Sequence, residues 1–92
     1  MSTQMIYGKD TMLVAIDVSK ARHDILLQYP SGKRKKSKIA NTAKDYHNFI
    51  QDLKSLGKPC VIALEATANY HRTIAYYLQT AGLLYILSPL SL

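Results

Sequence analysis

One glutamate and one cysteine stand among 92 residues, and no apolar run approaches the roughly 18 residues of a membrane span. Each scarcity excludes something. A lone Cys60 closes no internal disulfide and suits a reducing compartment. It opens an apolar run, where a thiol acts as a small buried hydrophobe rather than a nucleophile. Residues 1–10 lack the apolar core of a secretory signal, so the expectation is a cytoplasmic chain with a flexible ten-residue arm and no membrane partner. Neither an internal repeat nor a long linker interrupts the rest, which reads as one small domain over residues 11–92. A hydrophobic content of 48% places that domain among folded chains.

Acidic residues are scarce as well, six against twelve basic ones. The excess is local. Lys33, Arg34, Lys35, Lys36 and Lys38 hold five of the twelve cations, and without them seven stand against six. Such a run tracks a nucleic-acid backbone, or it decorates a solvated hairpin whose lysines discourage edge-to-edge pairing. Tyrosine is plentiful, but Tyr46, Tyr70 and Tyr77 fall on helix core faces and are assigned to packing.

Periodicity supplies the architecture. Residues 11–17 form a continuous apolar run, the pattern of a strand covered on both faces. Residues 23–29 form a second strand, Pro30-Ser31-Gly32 a turn, and residues 33–40 a polar third strand at an edge. Thr42 and Asp45 open a helix along Tyr46, Phe49, Ile50, Leu53 and Leu56, and Gly57 stops it. Residues 59–65 are a second all-apolar strand. Thr67 or Asn69 then caps a helix through Tyr70, Ile74, Tyr77, Leu78 and Ala81, which Gly82 ends before a fifth strand at 83–87 closed by Ser88-Pro89. A helical crossover joins the first and fourth strands, so they lie parallel and adjacent. The expected fold is α/β. It has a five-stranded mixed sheet of order 3-2-1-4-5, with three antiparallel strands followed by helix, strand, helix and strand.

That topology gives the acids their interest. Asp17 ends the run Met12-Leu13-Val14-Ala15-Ile16, and Glu65 ends the run Cys60-Val61-Ile62-Ala63-Leu64. Their strands point the same way, and ligands of open α/β sheets sit beyond such ends. Two converging carboxylates suit Mg²⁺ or Mn²⁺, which take oxygen ligands and keep several waters. In the alternative, Asp17 caps the loop Val18-Ser19-Lys20 and Glu65 pairs with Lys20, Arg22 or Arg72. A phosphate ligand is favoured by Lys20 and Arg22 just after Asp17. His71 and Arg72, in the first turn of the second helix, favour it too. Asp24 sits within the second strand and faces water, and His23 and His47 read as surface residues.

The segments Val14-Ala15-Ile16-Asp17-Val18-Ser19-Lys20 and Glu65-Ala66-Thr67-Ala68-Asn69-Tyr70 together resemble the N-terminal catalytic domain of DEDD insertion-sequence transposases, the IS-one-ten group. That domain is similar to the Holliday-junction resolvase RuvC and is ribonuclease H-like. The resemblance runs from Met12 to Pro89. It implies that Asp17 and Glu65 are the first two acids of a catalytic, metal-binding tetrad. It also implies Mg²⁺-dependent DNA cleavage and strand exchange in the full-length protein, and in some members a guide RNA. The other two acids, and the C-terminal domain with its nucleophilic serine, are implied to lie outside this chain. The 92 residues are therefore expected to fold, to hold Mg²⁺ or Mn²⁺ weakly or not at all, and not to cut or join DNA alone. Lys20, Arg22, the lysine run, His71 and Arg72 are the expected nucleic-acid contacts. Where the family usually has glycine this chain has Ala68, which argues against a positive φ there.

Two other functions compete. An actin- or sugar-kinase-type phosphotransferase shares the element order, but it needs a glycine-rich loop after the first acid. Val18-Ser19-Lys20-Ala21-Arg22 has no glycine. A non-enzymatic RNA- or DNA-binding module would use only the cations of 33–38. Apolar residues at 83–87 and 90–92 leave homo-oligomerisation open.

Overall fold

A computed structural model describes residues 9–66 and 68–89. Most of the expected arm, the cap candidate Thr67 and the apolar tail 90–92 lie outside those residues. The chain runs β1 (Met12–Val18), β2 (Arg22–Gln28), β3 (Arg34–Ala40), α1 (Ala43–Ser55), β4 (Cys60–Ala66), α2 (Arg72–Thr80) and β5 (Tyr85–Pro89). The five strands form one sheet of order β3-β2-β1-β4-β5, as the sequence predicts. β1 pairs antiparallel with β2 and parallel with β4. β3 and β5 close the edges, antiparallel to β2 and parallel to β4 respectively.

Both helices bury their apolar stripes against the same sheet face. Val14, Ile16 and Val18 of β1, Ile25 of β2, and Ile62 and Leu64 of β4 meet Tyr46, Phe49, Ile50 and Leu53 of α1 and Ile74, Ala75 and Leu78 of α2. Each of the larger of these side chains contributes about 1.5–3 kcal/mol by leaving water. Thr42 caps α1, accepting the Asp45 N–H at 3.2 Å, while Asp45 Oδ2 accepts the Ala40 N–H at 2.7 Å. The second of these bonds ties the end of β3 to the first turn of the helix. Gly57, at φ +65°, ends α1 in the left-handed conformation that a side chain disfavours.

The structure corrects several expectations. β1 is covered on one face only: its side chains alternate buried and open, with Leu13, Ala15 and Asp17 on the face away from the helices. Alternation was hidden because Leu13 and Ala15 are apolar too. His23, expected at the surface, is fully buried. Tyr70 is exposed rather than packed, because α2 begins at Arg72 and Tyr70 lies in the preceding turn. His71 occupies the N-cap position without a side-chain capping bond. Ala68 adopts φ +54° despite its Cβ, so the turn takes the shape that glycine would favour.

Candidate active site

Register brings the two acids together. Asp17 is the direct partner of Glu65 across the parallel β1–β4 pair. Neighbouring strands stand ~4.8 Å apart and paired residues share a face, so both carboxylates emerge side by side. That face is the open one. Asp17 and Glu65 are both exposed, and both line an open cavity of about 510 Å³.

A third acid belongs to the same row. Asp17 pairs with Asp24 across the β1–β2 hairpin, and Asp24 pairs with Lys38 across β2–β3. Lys38, Asp24, Asp17 and Glu65 thus form one line across four strands, and Ser88 of β5 extends it. Lys36 and Lys38 line the cavity as well. Asp24 faces solvent, as expected, and the hairpin register adds that it stands beside Asp17.

Charge is incompletely matched along this row. Among the described residues, the ion pairs are Lys38 with Asp24 at 3.8 Å and Lys58 with Asp10 at 3.3 Å. No described hydrogen bond or ion pair occupies Asp17 or Glu65. The pairing of Glu65 with Lys20, Arg22 or Arg72 is therefore not what the described side chains form. Two free carboxylates on one face offer hard oxygen donors, a set suited to Mg²⁺ or Mn²⁺. No cluster of three or more potential ligands with metal-holding placement exists among the described residues. The pair fits as part of a ligand set that also uses water or further groups.

The other predicted cations separate by position. Arg22 and Arg34 share the open face by strand parity, whereas Lys35 falls on the helix-covered face. Lys33 lies in the turn before β3, and Lys20 in the turn after β1. His71 and Arg72 sit at the start of α2, beyond the end of β4 that carries Glu65. Neither lines the cavity. His71 Nδ1 is buried without a hydrogen-bond partner among the described residues.

Behind Asp17 a polar network pins the β1–β2 turn. Ser19 N–H donates to His23 Nδ1 at 3.3 Å, and its hydroxyl donates to the Arg22 carbonyl. His23 Nε2 meets Tyr46 Oη at 2.6 Å, Tyr46 Oη–H donates to Asn41 Oδ1 at 2.6 Å, and Asn41 Nδ2 donates to the Lys20 carbonyl at 2.9 Å. Because Nδ1 accepts, the ring proton resides on Nε2 and donates to tyrosine. Burial holds the His23 imidazole below its ordinary range, partly countered by a backbone bond at Arg22. Burial, with Tyr77 nearby, pushes the Tyr46 phenol up to about 12. Cys60, partly covered, has its thiol raised by burial, which leaves it unreactive.

The profile of a family described as Transposase, the DEDD type of IS110 elements, matches residues 14–91. The chain belongs to this transposase family. Comparison with curated proteins found no match. Among solved structures, this transposase-family chain is similar to Thermus thermophilus RuvC in complex with a Holliday junction substrate. The TM-score is 0.59 at 9% identity, over 87% of this chain and 65% of that one. A second RuvC structure from the same organism gives 0.56 at 9% identity, over 85% and 63%. The Pelota protein of Thermoplasma acidophilum gives 0.62 at 16% identity, over 98% and 31%. The chain spans less than two thirds of each of these proteins. At such identities the likeness shows the fold, which is ribonuclease H-like. No described helix is long and apolar enough to cross a membrane.

Proposed function

We propose that this chain is the portion of a DNA transposase that supplies the first two acids of a divalent-metal site. The observation that carries this reading is the direct pairing of Asp17 with Glu65 on the open face of adjacent parallel strands. Family membership and the RuvC-like fold support it. Asp17 and Glu65 hold Mg²⁺ or Mn²⁺ through carboxylate oxygens. Bound there, the ion supplies a Lewis acid that activates water and offsets charge developing on a phosphoryl group. Arg22 on the open face, Lys20 in the adjoining turn, and His71 and Arg72 at the start of α2 attract the phosphates of DNA. Two acids hold the ion with water in its other positions but do not complete the acidic tetrad that the family resemblance implies, so the 92 residues alone do not cut or join DNA.

The test is a Mn²⁺ titration followed by the paramagnetic resonance of free ion. Wild type binds, and Asp17→Asn and Glu65→Gln each weaken binding about tenfold or more. Variants that bind as well as wild type overturn the site. Mg²⁺-dependent DNA cleavage by the purified chain, abolished by Asp17→Asn, overturns the claim of inactivity.

A further inference from the structure

The cationic run of residues 33–38 does not act as one block, because β3 distributes it between two faces. Arg34, Lys36 and Lys38 alternate onto the open face, where they pair with Gln28, Leu26 and Asp24 of β2. Lys35 and Ser37 alternate onto the other face, as partners of Leu27 and Ile25. Alternate residues of a strand stand about 6.8 Å apart, close to the step between phosphates of an extended nucleotide chain. The three cations therefore form a line of positive charge along an edge strand, with no described element covering them.

That line meets the acidic row at one point. Lys38 is two strands from Asp17 and three from Glu65, and its ammonium is 3.8 Å from Asp24. Both members of this pair are well exposed, at 66% and 64%, so it is a weak tether that a phosphate readily displaces. Without neighbouring cations, three carboxylates in a row repel a polyanion. Lys36 and Lys38 on the wall of the same cavity offset that repulsion on one side only.

We infer that Arg34, Lys36 and Lys38 form a one-faced phosphate rail that seats a single DNA strand along β3 and leads it to Asp17 and Glu65. Asp24 holds Lys38 until DNA arrives and competes with the phosphate for it, and Lys35 takes no part. This rests on the reading of Asp17 and Glu65 as a DNA-processing metal site, but it is measured separately.

The assay is fluorescence anisotropy of a labelled 20-nucleotide single-stranded DNA with the whole chain, in EDTA, across a NaCl series. Replacing Arg34, Lys36 and Lys38 together by Gln lowers affinity about tenfold or more and reduces the salt slope by about 2, roughly 0.7 per lost contact. Replacing Lys35, Lys44 and Lys54 by Gln removes the same charge away from the open face and leaves most of the slope. Asp24→Asn tightens binding a few-fold, since it frees Lys38 and removes a negative charge.

Equal losses in the two triple variants overturn the rail, because net charge alone then explains binding. So does a wild type that binds no DNA, or an RNA of equal length that binds more tightly through the same three residues. Weaker binding by Asp24→Asn overturns the role given to Asp24. The replaced side chains are solvent-exposed, and thermal melting by circular dichroism verifies folding. The single variant Lys38→Gln, expected to lose roughly a third of the slope change, serves if a triple variant melts early. Mn²⁺ binding by the open-face triple separates the two claims. Retained Mn²⁺ binding with unchanged DNA affinity defeats the rail alone, whereas rail-dependent DNA binding without Mn²⁺ binding defeats the metal site alone.

Discussion

Mild acid should loosen this fold through a single side chain, His23. Its imidazole is fully buried, and each of its nitrogens has a partner. A second proton has only Nδ1 to occupy, and Nδ1 already receives the Ser19 N–H. Two donors would then face each other in a buried site. The folded-state pKa is accordingly depressed below the ordinary 6.5, with desolvation as the main cause. The unfolded chain protonates first as pH falls. The stabilisation is thus complete above about pH 6.5 and is lost below it, at up to ~1.4 kcal/mol per pH unit. The loss begins near pH 6.5 and levels off once the folded-state imidazole protonates as well, and Tm falls with it. Thermal melts from pH 7.5 to 5.5 measure it, a window above the titration of ordinary carboxylates. His23→Phe melts lower at every pH but shows a flatter dependence, and the difference curve isolates His23 because His47 and His71 remain in both. Tyr46→Phe strands the Nε2–H and costs about 1–3 kcal/mol. A wild-type Tm that is flat across the window, or a slope that survives His23→Phe, rules out His23 as the acid-sensitive group.

Other predictions follow from the backbone and from the one-sided sheet. Ala68→Gly should raise stability by up to about 1 kcal/mol, because it relieves the cost of a Cβ at φ +54°; an unchanged or lower urea midpoint contradicts this. Val14→Ser and Ala15→Ser replace neighbouring residues of β1 on opposite faces. The first should cost at least about 2 kcal/mol and the second within ~0.5 kcal/mol by urea unfolding, and equal costs would mean that both faces are covered.

Much of this was legible in the residue order. Gly57, Gly82 and the Thr42–Asp45 opening delimit the elements, and the helical crossover between two apolar runs makes β1 and β4 neighbours. Adjacent parallel strands ending alike then bring Asp17 to Glu65. What stayed hidden depended on which face each residue takes. The apolar Leu13 and Ala15 masked the alternation of β1, so the open face went unseen. His23 shares parity with Ile25 and is therefore buried, but a histidine before a charged neighbour gives no sign of that until the hairpin register is known. The same register puts Asp24 beside Asp17. Ala68 carries no residue-type signal for a positive φ, and the start of α2 without a capping side chain gives none either.

Whether Asp17 and Glu65 share one divalent ion is read from the anomalous diffraction of a Mn²⁺-soaked crystal. A shared ion gives a single peak between the two carboxylates, each contributing an oxygen at about 2.1 Å with the remaining positions held by water. A map without a peak there at millimolar Mn²⁺, with Lys20 or Arg72 closed onto Glu65 instead, would contradict it.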